Sequence, residues 1–378
     1  MKYIPLVQVC DFQGGSQPPK DRWIDHEKEG YIRMLQIRDF TQPDKDNVEF
    51  VRISKTIKTC NEDDILIGRY GASVGKILTG LAGAYNVAII KTIPDTSKLS
   101  KRFLYHYLNS PYFQNFILSV GSRAAQAGFN KDDLSDVQIP DLSLEEQSNV
   151  VSQLDKVTEL IALRKEQLAK LDQLVKSRFI ELFGDINTND KGWENQPLGE
   201  LCTIVRGGSP RPIENYLGGD VPWIKIGDAT KGDNVYLHST KEHIIQDGVK
   251  KSRIVKSGSL IFANCGVSLG FARIITFDGC IHDGWLAMED IDARLDKVFL
   301  LQALNQMTDH FRKIAPAGTQ PNLNTAIMKA YVQIIPPMEL QKEYIAFVEQ
   351  TDKSKLAIQQ SLDKLELLKK SLMQEYFG

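Results

Sequence analysis

The sequence lacks the features that would place it in a membrane or outside the cell. Its first residues, "MKYIPLVQVCDF", contain no long apolar stretch of the kind found in signal peptides. Nowhere do about 20 apolar residues follow one another, as a membrane-spanning helix requires. The 5 cysteines are scattered and form no Cys-x-x-Cys pair. Reduced thiols in the cytoplasm are therefore the expectation.

The chain also lacks an excess of charge of either sign. Its 46 lysine and arginine residues stand against 48 aspartate and glutamate residues, which gives a formal net charge of -2. A polyanion such as DNA would therefore have to be bound by local basic patches and not by the charge of the whole molecule.

Several segments resemble known catalytic motifs, but each lacks residues that the motif requires. An amino-methyltransferase needs Asn or Asp, then Pro-Pro, then Tyr or Phe, and "QPPK" (17–20), "SPYF" (110–113) and "IPPM" (335–338) each depart from that pattern. In "GASVGKI", three residues instead of four separate Gly71 from Gly75, and no Ser or Thr follows the lysine. A structural turn is expected there, not a phosphate loop.

The candidate metal-binding segments also lack required residues. The segment "PDTSK" (94–98) lacks the second acidic residue that a metal-dependent nuclease needs. Cys280 and His282 are two candidate ligands, fewer than the four of a structural zinc site. We expect no catalytic residue and no metal in this chain.

What the sequence contains instead is an internal repeat. The segment "KLDQLVKSRFIELFG" begins at residue 170, and "KLELLKKSLMQEYFG" begins at residue 364. Further pairs occur in the same order in both halves: "GGSQPP" (14–19) with "GGSPRP" (207–212), "MLQIRDF" (34–40) with "WIKIGDA" (223–229), "YGASVG" (70–75) with "CGVSLG" (265–270), and "KRFLYHYLN" (101–109) with "KVFLLQALN" (297–305). The chain is therefore predicted to be two copies of one unit.

Each copy has two unlike parts. Residues 1–142 and 185–338 are rich in glycine, proline and short β-favouring runs, so we expect short strands with one helix at 101–118 and another at 297–313. Residues 143–184 and 339–378 contain a long stretch without glycine or proline, in which apolar residues recur with heptad spacing. This spacing is typical of a coiled coil, although an amphipathic helix lying on a globular core has a similar stripe.

Two helices of equal length that follow equivalent globular parts favour pairing with each other. The predicted fold is α+β: two globular domains with short twisted sheets, separated by an antiparallel coiled coil, in a dumbbell with pseudo-twofold symmetry. Helices of about 38 residues would extend roughly 55–60 Å, and one turn of DNA measures about 34 Å. Two similar globular domains (the heads) at a fixed separation suit a DNA duplex, which offers related sites at a fixed spacing. Because the sequences of the two heads differ, the predicted DNA site is asymmetric and bipartite.

Residues in the turns of the two heads provide candidate DNA contacts. Arginine and lysine suit guanine edges and phosphates, and asparagine and glutamine suit adenine. The candidates found in this way are Arg38, Arg69, Lys76, Arg123, Gln126, Arg211 and Lys225. The repeat pairs Arg69 with Ala263 or with Asn264, and this divergence adds Asn264 to the candidates. Each of these side chains could equally be an ordinary solvated group.

The segment "VRGGSPRPIENYLGGDVPWIKIGDAT" (205–230), with "GTQPNLN" (318–324) and "IPPMELQ" (335–341), resembles the specificity subunit of type I restriction–modification systems. The resemblance covers the whole chain in the family's order of recognition domain and conserved helix, each twice. In the first half, "LQIRDF" lacks the Pro-Trp of the family pattern, and "GSRAAQAGFN" (121–130) is a variant of its Gln-x-x-Asn loop.

The resemblance implies a non-catalytic reader of double-stranded DNA. Its helices would dock two copies of an adenine-N6 methyltransferase subunit, and an ATP-dependent restriction subunit would join the full complex. S-adenosylmethionine, ATP and Mg²⁺ would belong to those partners, and the rod would set the spacer between the half-sites. By position in the family pattern the resemblance adds these DNA contacts: Ser209, Arg211, Thr319, Gln320, Asn322 and Asn324. The internal repeat then adds Ser16, Gln17, Arg123 and Gln126.

Apolar residues beyond the paired seam of the first helix are candidates for the partner surface. They are Leu160, Leu163, Leu174, Ile180 and Phe183. Contact with the chain's own heads would explain them equally well. Two other classes of function also stay open from the sequence: a DNA-binding regulator that acts without a methyltransferase, and an enzyme whose active site lies outside known motifs.

Overall fold

The computed structural model describes residues 2–42, 48–121, 128–230, 232–316 and 322–378. The chain forms two compact units. Unit one comprises Met1–Glu166 and Ile358–Gly378, and unit two comprises Gln167–Ala357. In these described parts of the chain, no helix has the length and apolar character needed to cross a membrane.

Unit one contains short strands and helices in its globular part. Its strands are β1 (Tyr3–Pro5), β2 (Cys10–Gly14), β3 (Tyr31–Leu35), β4 (Phe50–Arg52), β5 (Thr59–Cys60), β6 (Leu66–Gly68), β7 (Ile77–Leu78), β8 (Gly83–Tyr85), β9 (Ile89–Pro94) and β10 (Gln138–Pro140). Its helices are α1 (Ile37–Thr41), α2 (Lys101–Leu108), α3 (Pro111–Gly121) and the first part of α4 (Leu144–Phe183).

Unit two has the same kinds of elements in the same order. Its strands are β11 (Glu194–Pro197), β12 (Thr203–Arg206), β13 (Leu217–Ile224), β14 (Tyr236–Leu237), β15 (Glu242–Ile244), β16 (Arg253–Val255), β17 (Leu260–Ala263), β18 (Ala272–Ile275), β19 (Gly279–Ile281), β20 (Trp285–Glu289) and β21 (Val332–Ile335). Its helices are α5 (Leu198–Leu201), α6 (Gln246–Val249), α7 (Lys297–Gln306), α8 (Thr308–Ile314), α9 (Thr325–Ala330) and the first part of α10 (Met338–Phe377).

Apart from β14, the strands of the two main sheets correspond between the units. In unit one the orders are β2-β9-β6-β7 and β4-β3-β8-β5, and in unit two they are β12-β20-β17-β18-β14 and β15-β13-β19-β16. In both units one pair within the second sheet is parallel, namely β3 with β8 and β13 with β19. The predicted α+β class and the internal repeat are therefore confirmed, and β14 of unit two has no counterpart among the strands in the described part of unit one.

The single helices predicted at 101–118 and 297–313 are wrong, because each is divided into two. Pro111 begins α3, and proline both lacks an N–H donor and disfavours helical backbone in the residue before it. In unit two the division falls before Thr308, whose hydroxyl donates to the carbonyl of Gly270 at 2.6 Å. This hydrogen bond ties the start of α8 to the turn before β18.

The long helices α4 and α10 contain 40 residues each. In unit one, Lys165 pairs with Glu366 at 2.9 Å, and the Tyr376 hydroxyl donates to Gln153 at 3.0 Å. Residue numbers therefore rise along one helix while they fall along the other. This antiparallel pairing was predicted from the pseudo-twofold symmetry of the two repeated units.

The same arrangement holds in unit two. Asp172 pairs with Lys355 at 2.7 Å, and Arg178 pairs with Glu343. The Tyr344 hydroxyl donates to the carbonyl of Val175 at 3.4 Å. The helix segments in this unit are thus also antiparallel, and they are joined by polar contacts as well as by their apolar seam.

The ends of the long helices are buried in the cores of the units. In unit two Phe183 is fully buried, with its ring 4.9 Å from that of Phe299 and 5.5 Å from that of Tyr344. In unit one Phe377 is fully buried 5.4 Å from Phe103. The prediction that Phe183 contacts a partner protein is therefore wrong, because its ring packs inside its own unit.

Truncation of this ring should destabilise unit two strongly. We expect Phe183→Ala to lower the free energy of unfolding by about 3–5 kcal/mol, because the substitution leaves a cavity among packed rings. Ile180→Ala, on the same helix, removes a side chain that is 60% exposed and should change it by no more than about 0.5 kcal/mol. Denaturant unfolding of both variants measures the difference, and equal effects would contradict this account of the core.

Candidate nucleic-acid interface

In each unit, one three-residue loop lies where the ends of three other segments meet. We call it the central loop: Asn86–Val87–Ala88 in unit one, between β8 and β9, and His282–Asp283–Gly284 in unit two, between β19 and β20. In both loops the first side chain accepts a hydrogen bond from the backbone N–H of the third residue. The distance is 3.1 Å in unit one and 2.9 Å in unit two.

Backbone hydrogen bonds attach the central loop of unit two to its neighbours. The N–H of His282 donates to Ile224 at 3.0 Å, and the N–H of Asn264 donates to Gly284 at 3.0 Å. The N–H of Gly207 donates to Trp285 at 2.9 Å. The ends of β13, β17 and β12 therefore converge on this loop.

The central loop of unit one has the same attachments. The N–H of Asn86 donates to Leu35 at 3.2 Å, and the N–H of Arg69 donates to Ala88 at 2.8 Å. The N–H of Gly15 donates to Ile89 at 3.0 Å. Position by position, Arg69 is thus the counterpart of Asn264, which decides between the two alternatives left by the sequence.

Close approach explains the glycines beside the loops. A Cβ atom on Gly207 would lie 2.1 Å from the carbonyl oxygen of His282, and one on Gly15 would lie 2.0 Å from that of Asn86. Any other residue would push the turn away from the loop. Gly15 and Gly207 are therefore equivalent, and the "GGSQPP" and "GGSPRP" segments are shifted by one residue from the match predicted from sequence.

This shift changes the predicted equivalences in the first turn. Ser16 corresponds to Gly208, since their N–H groups donate to Tyr85 and Ile281, both at 3.0 Å. Gln17 therefore corresponds to Ser209. The Ser16 hydroxyl accepts from the N–H of Lys58 at 3.2 Å, which makes it part of the turn, whereas Gln17 is exposed.

In unit two, a polar cluster surrounds the carboxylate of Asp283. The Ser209 hydroxyl donates to it at 2.9 Å, and Arg211 approaches it at 3.4 Å. The Arg206 side chain donates to the backbone carbonyl of Asp283 at 3.1 Å. The predicted contacts Ser209 and Arg211 are therefore brought together, around an aspartate that the sequence analysis missed.

The cluster keeps Asp283 ionised and His282 neutral. Burial favours a protonated Asp283, but the Ser209 hydrogen bond and the charge of Arg211 oppose it, and the pKa of Asp283 is lowered. Burial lowers the pKa of His282. The nearby cations Arg211, Lys225 and Arg206 lower it further, whereas the negative charge of Asp283 raises it. The surface thus presents one anionic acceptor among several cationic donors.

Lys225 lies close to His282 of the central loop in unit two, and both Lys225 and Arg38 pair with acidic residues. Lys225 pairs with Glu242, and its counterpart Gln36 donates to Glu49 at 2.7 Å. Arg38 also pairs with Glu49. Both basic side chains are 40% exposed, so they remain accessible to a phosphate that could compete for them.

Arg69 and Asn264 hold a neighbouring loop in place. The Arg69 Nε donates to the carbonyl of Phe129 at 3.2 Å, and the Asn264 Nδ2 donates to the equivalent carbonyl of Leu323 at 3.2 Å. We call this contact the loop clasp. Asn264 is fully buried, so its predicted direct contact with DNA is wrong, and its role is to position the loop.

The loop held by the clasp contains further predicted contacts. Asn322 is half-buried, and its side-chain oxygen accepts from Asn264 at 3.3 Å. Asn324 caps α9, since its side-chain oxygen accepts from the N–H of Ile327 at 2.9 Å. The predicted contacts Arg123, Gln126, Thr319 and Gln320 lie outside the described residues.

The glycine-rich turn that contains Gly71 is structural, as the sequence predicted. Gly71 and Gly75 have φ angles of 57° and 78°, and their counterparts Gly266 and Gly270 have 71° and 101°. These left-handed conformations favour glycine. Lys76 follows this turn and is exposed. A Cβ on Gly75 would lie 2.7 Å from Ile117, so this side of the turn packs on α3.

The long helices expose apolar side chains at several of the predicted positions. Leu163, Leu174 and Ile180 are exposed, while Leu160 is half-buried. The sequence analysis missed three exposed residues on α10, namely Leu356, Leu367 and Leu368. The repeat could have revealed one of them, because Leu368 occupies the position equivalent to Leu174.

Known proteins share this sequence pattern and fold. A family model described as the type I restriction modification DNA specificity domain matches residues 1–173 and again residues 190–368. The MjaVIII type I restriction enzyme specificity subunit of Methanocaldococcus jannaschii is 22% identical over 376 residues, which cover 93% of this chain and 86% of that protein.

Solved structures agree on the fold. A chain from a structure that describes complex assembly and conformational transition of the type I R-M system is 18% identical, with a TM-score of 0.65 over 100% of this chain and 97% of that one. The type I restriction–modification S subunit from M. genitalium is 15% identical, with a TM-score of 0.55 over 100% and 96%. With two matched domains that together span most of its length, the chain belongs to the family of type I restriction modification DNA specificity domain proteins.

Proposed function

We propose that this chain is the non-catalytic DNA-reading subunit of a type I restriction–modification complex, in which each unit reads one half of an asymmetric, bipartite site. The observation that carries the proposal is the pair of equivalent central loops, which have the same backbone attachments but different side chains. A common scaffold with divergent side chains is what two readers of different half-sites require. Membership of the specificity family supports the same conclusion.

The chemistry around the central loops suits the major groove. Arginine and lysine donate to guanine, glutamine pairs with adenine, and carboxylates accept from cytosine. Unit two offers Arg211 and Asp283, and unit one offers the exposed Gln17. Lys225 and Arg38 are suited to phosphates, which position a protein on DNA without selecting its sequence.

The catalytic steps belong to partner subunits in this proposal. Two copies of an adenine-N6 methyltransferase bind the chain and use S-adenosylmethionine, and an ATP-dependent, Mg²⁺-requiring restriction subunit completes the assembly. Because the substrate is genomic DNA, the proposed location is the cytoplasm. One relative in structure comes from work on assembly of a type I R-M system, which supports a multisubunit context.

The long helices have two roles in the proposal. Their exposed apolar residues, among them Leu174 and Ile180, bind the methyltransferase subunits, since large apolar side chains left exposed are suited to an interface. Their length sets the spacer between the half-sites. Two helices of 40 residues extend about 60 Å each at 1.5 Å per residue, a length comparable with nearly two turns of DNA.

Charge on the exposed stripe of α4 should impair docking. We expect the double variant Leu174→Asp and Ile180→Asp to weaken binding of the methyltransferase subunit at least about tenfold, because two carboxylates would be desolvated in an apolar interface. Gln173→Asp adds one carboxylate at an exposed neighbouring position without removing an apolar side chain, and it is the control for charge; Leu174→Asp alone is the single-charge variant to compare with it. Isothermal titration with the purified methyltransferase measures these affinities, and unchanged affinity of the double variant would remove the docking proposal.

Loss of the loop clasp should impair one half-site only. In Asn264→Asp a carboxylate replaces the N–H donor that faces the Leu323 carbonyl, so the loop should move and recognition of one half-site should weaken about tenfold. Arg69→Lys keeps a donor for Phe129 and should largely retain the other half-site. Competition binding with duplexes altered in one half-site distinguishes the two. Equal losses at both half-sites would contradict a local positioning role.

A longer helical segment should lengthen the spacer. Insertion of one heptad after Glu166 and another after Ala357 adds about 10 Å to each helix and keeps the heptad pattern in phase. A longer rod of about 10 Å could span at most about three more base pairs. Each added base pair also rotates the second half-site by about 35° around the DNA axis, which favours a smaller increase. We expect a motif with unchanged half-sites and a spacer longer by one to three base pairs in methylation sequencing. An unchanged spacer would contradict the ruler.

A further inference from the structure

We propose that the middle residue of each central loop selects one base pair: Asp283, acting with Arg211, selects a G·C pair in the half-site of unit two, and Val87, acting with Gln17, selects an A·T pair in the half-site of unit one. This inference rests on the proposed function and adds to it the residues that make the two half-sites different.

The two positions are equivalent in backbone structure. Both central loops have matching hydrogen bonds to the strands around them, and in both an arginine donates to the carbonyl of the middle residue. Arg69 donates to Val87 at 3.4 Å, and Arg206 donates to Asp283 at 3.1 Å. Since the carbonyl is held within the unit, the side chain is the part of this residue that can contact another molecule.

Both side chains are accessible at a position that lies between buried strand residues. Val87 is 38% exposed, although the strand residues on either side of the loop, Tyr85 and Ile89, are fully buried. Asp283 has a side chain that is 32% exposed between the buried residues Ile281 and Trp285. A hydrophobic residue and a charged residue thus occupy the same accessible position on one scaffold.

The pair in unit two complements a G·C base pair. In the major groove, guanine offers two acceptors, O6 and N7, and cytosine offers the N4 amino donor beside them. The Arg211 side chain is 78% exposed and supplies donors, while the Asp283 carboxylate next to it supplies acceptors. Ser209 donates to one carboxylate oxygen, which fixes the carboxylate while the other oxygen faces Arg211.

The pair in unit one complements an A·T base pair. Thymine carries a C5-methyl group that favours apolar contact, and adenine offers N6 and N7 to a glutamine side chain. Val87 has no polar side-chain atom, and Gln17 is the exposed counterpart of Ser209, the residue that contacts the middle residue in unit two. The equivalent middle position therefore presents a carboxylate in unit two and an apolar side chain in unit one.

Selection from a random duplex library tests this assignment. The full-length chain in complex with its methyltransferase subunit is compared with the same complex carrying Asp283→Ala or Val87→Ala. The matched controls are Asp278→Ala, which removes an exposed carboxylate elsewhere in unit two, and Val7→Ala, which removes an exposed valine elsewhere in unit one.

We expect Asp283→Ala to reduce the preference for one G·C pair in one half-site about tenfold. We expect Val87→Ala to reduce the preference for one A·T pair in the other half-site about fourfold. This is the effect of losing the apolar contact that buries the thymine methyl group. Replacement of that thymine by uracil should weaken the wild-type complex by a similar factor and leave the Val87→Ala complex unchanged. In each variant the untouched half-site shows that the complex is folded.

Two results would overturn the inference in different ways. If the wild-type complex enriches a bipartite motif but Asp283→Ala and Val87→Ala keep every base preference, the assignment of these residues is wrong and the proposed function stands. If the wild-type complex enriches no bipartite motif, the proposed function fails, and the assignment fails with it.

Discussion

Each unit depends on the burial of one phenylalanine at the end of a long helix against a phenylalanine of its globular part. Phe183 packs on Phe299 in unit two, and Phe377 packs on Phe103 in unit one. Aromatic pairs of this kind bury large apolar areas and have specific geometry. Because the helix end is part of the core, the last turn of each long helix is held by packing within its own unit.

Sequence reasoning predicted the features that depend on periodicity and repetition. The heptad rows and the absence of glycine and proline correctly predicted α4 and α10, and the paired motifs predicted two copies of one α+β unit. The glycine pattern at Gly71 and Gly75 was also read correctly as a structural turn, because the missing residues of a phosphate loop can be counted directly. These patterns can be recognised in the sequence alone, because they do not depend on contacts between distant parts of the chain.

The details of the candidate site could not be predicted in the same way. Asn264 has the chemistry of an adenine contact, yet its burial and its hydrogen bond to Leu323 depend on a segment almost 60 residues away. The one-residue shift that equates Gln17 with Ser209 is visible only in the hydrogen bonds of Gly15 and Gly207. Asp283 and Val87 belong to no motif, and their importance follows from their equivalent place between buried strand ends.

The central claim is that the two units read the two different halves of one DNA site. Base-modification sequencing of the host genome, with and without the gene for this chain, tests it most directly. The account predicts that adenine methylation disappears from one asymmetric motif of two half-sites with a fixed spacer when the gene is removed. Loss of methylation from a palindromic or uninterrupted motif, or no loss in a strain that expresses the complex, would contradict it.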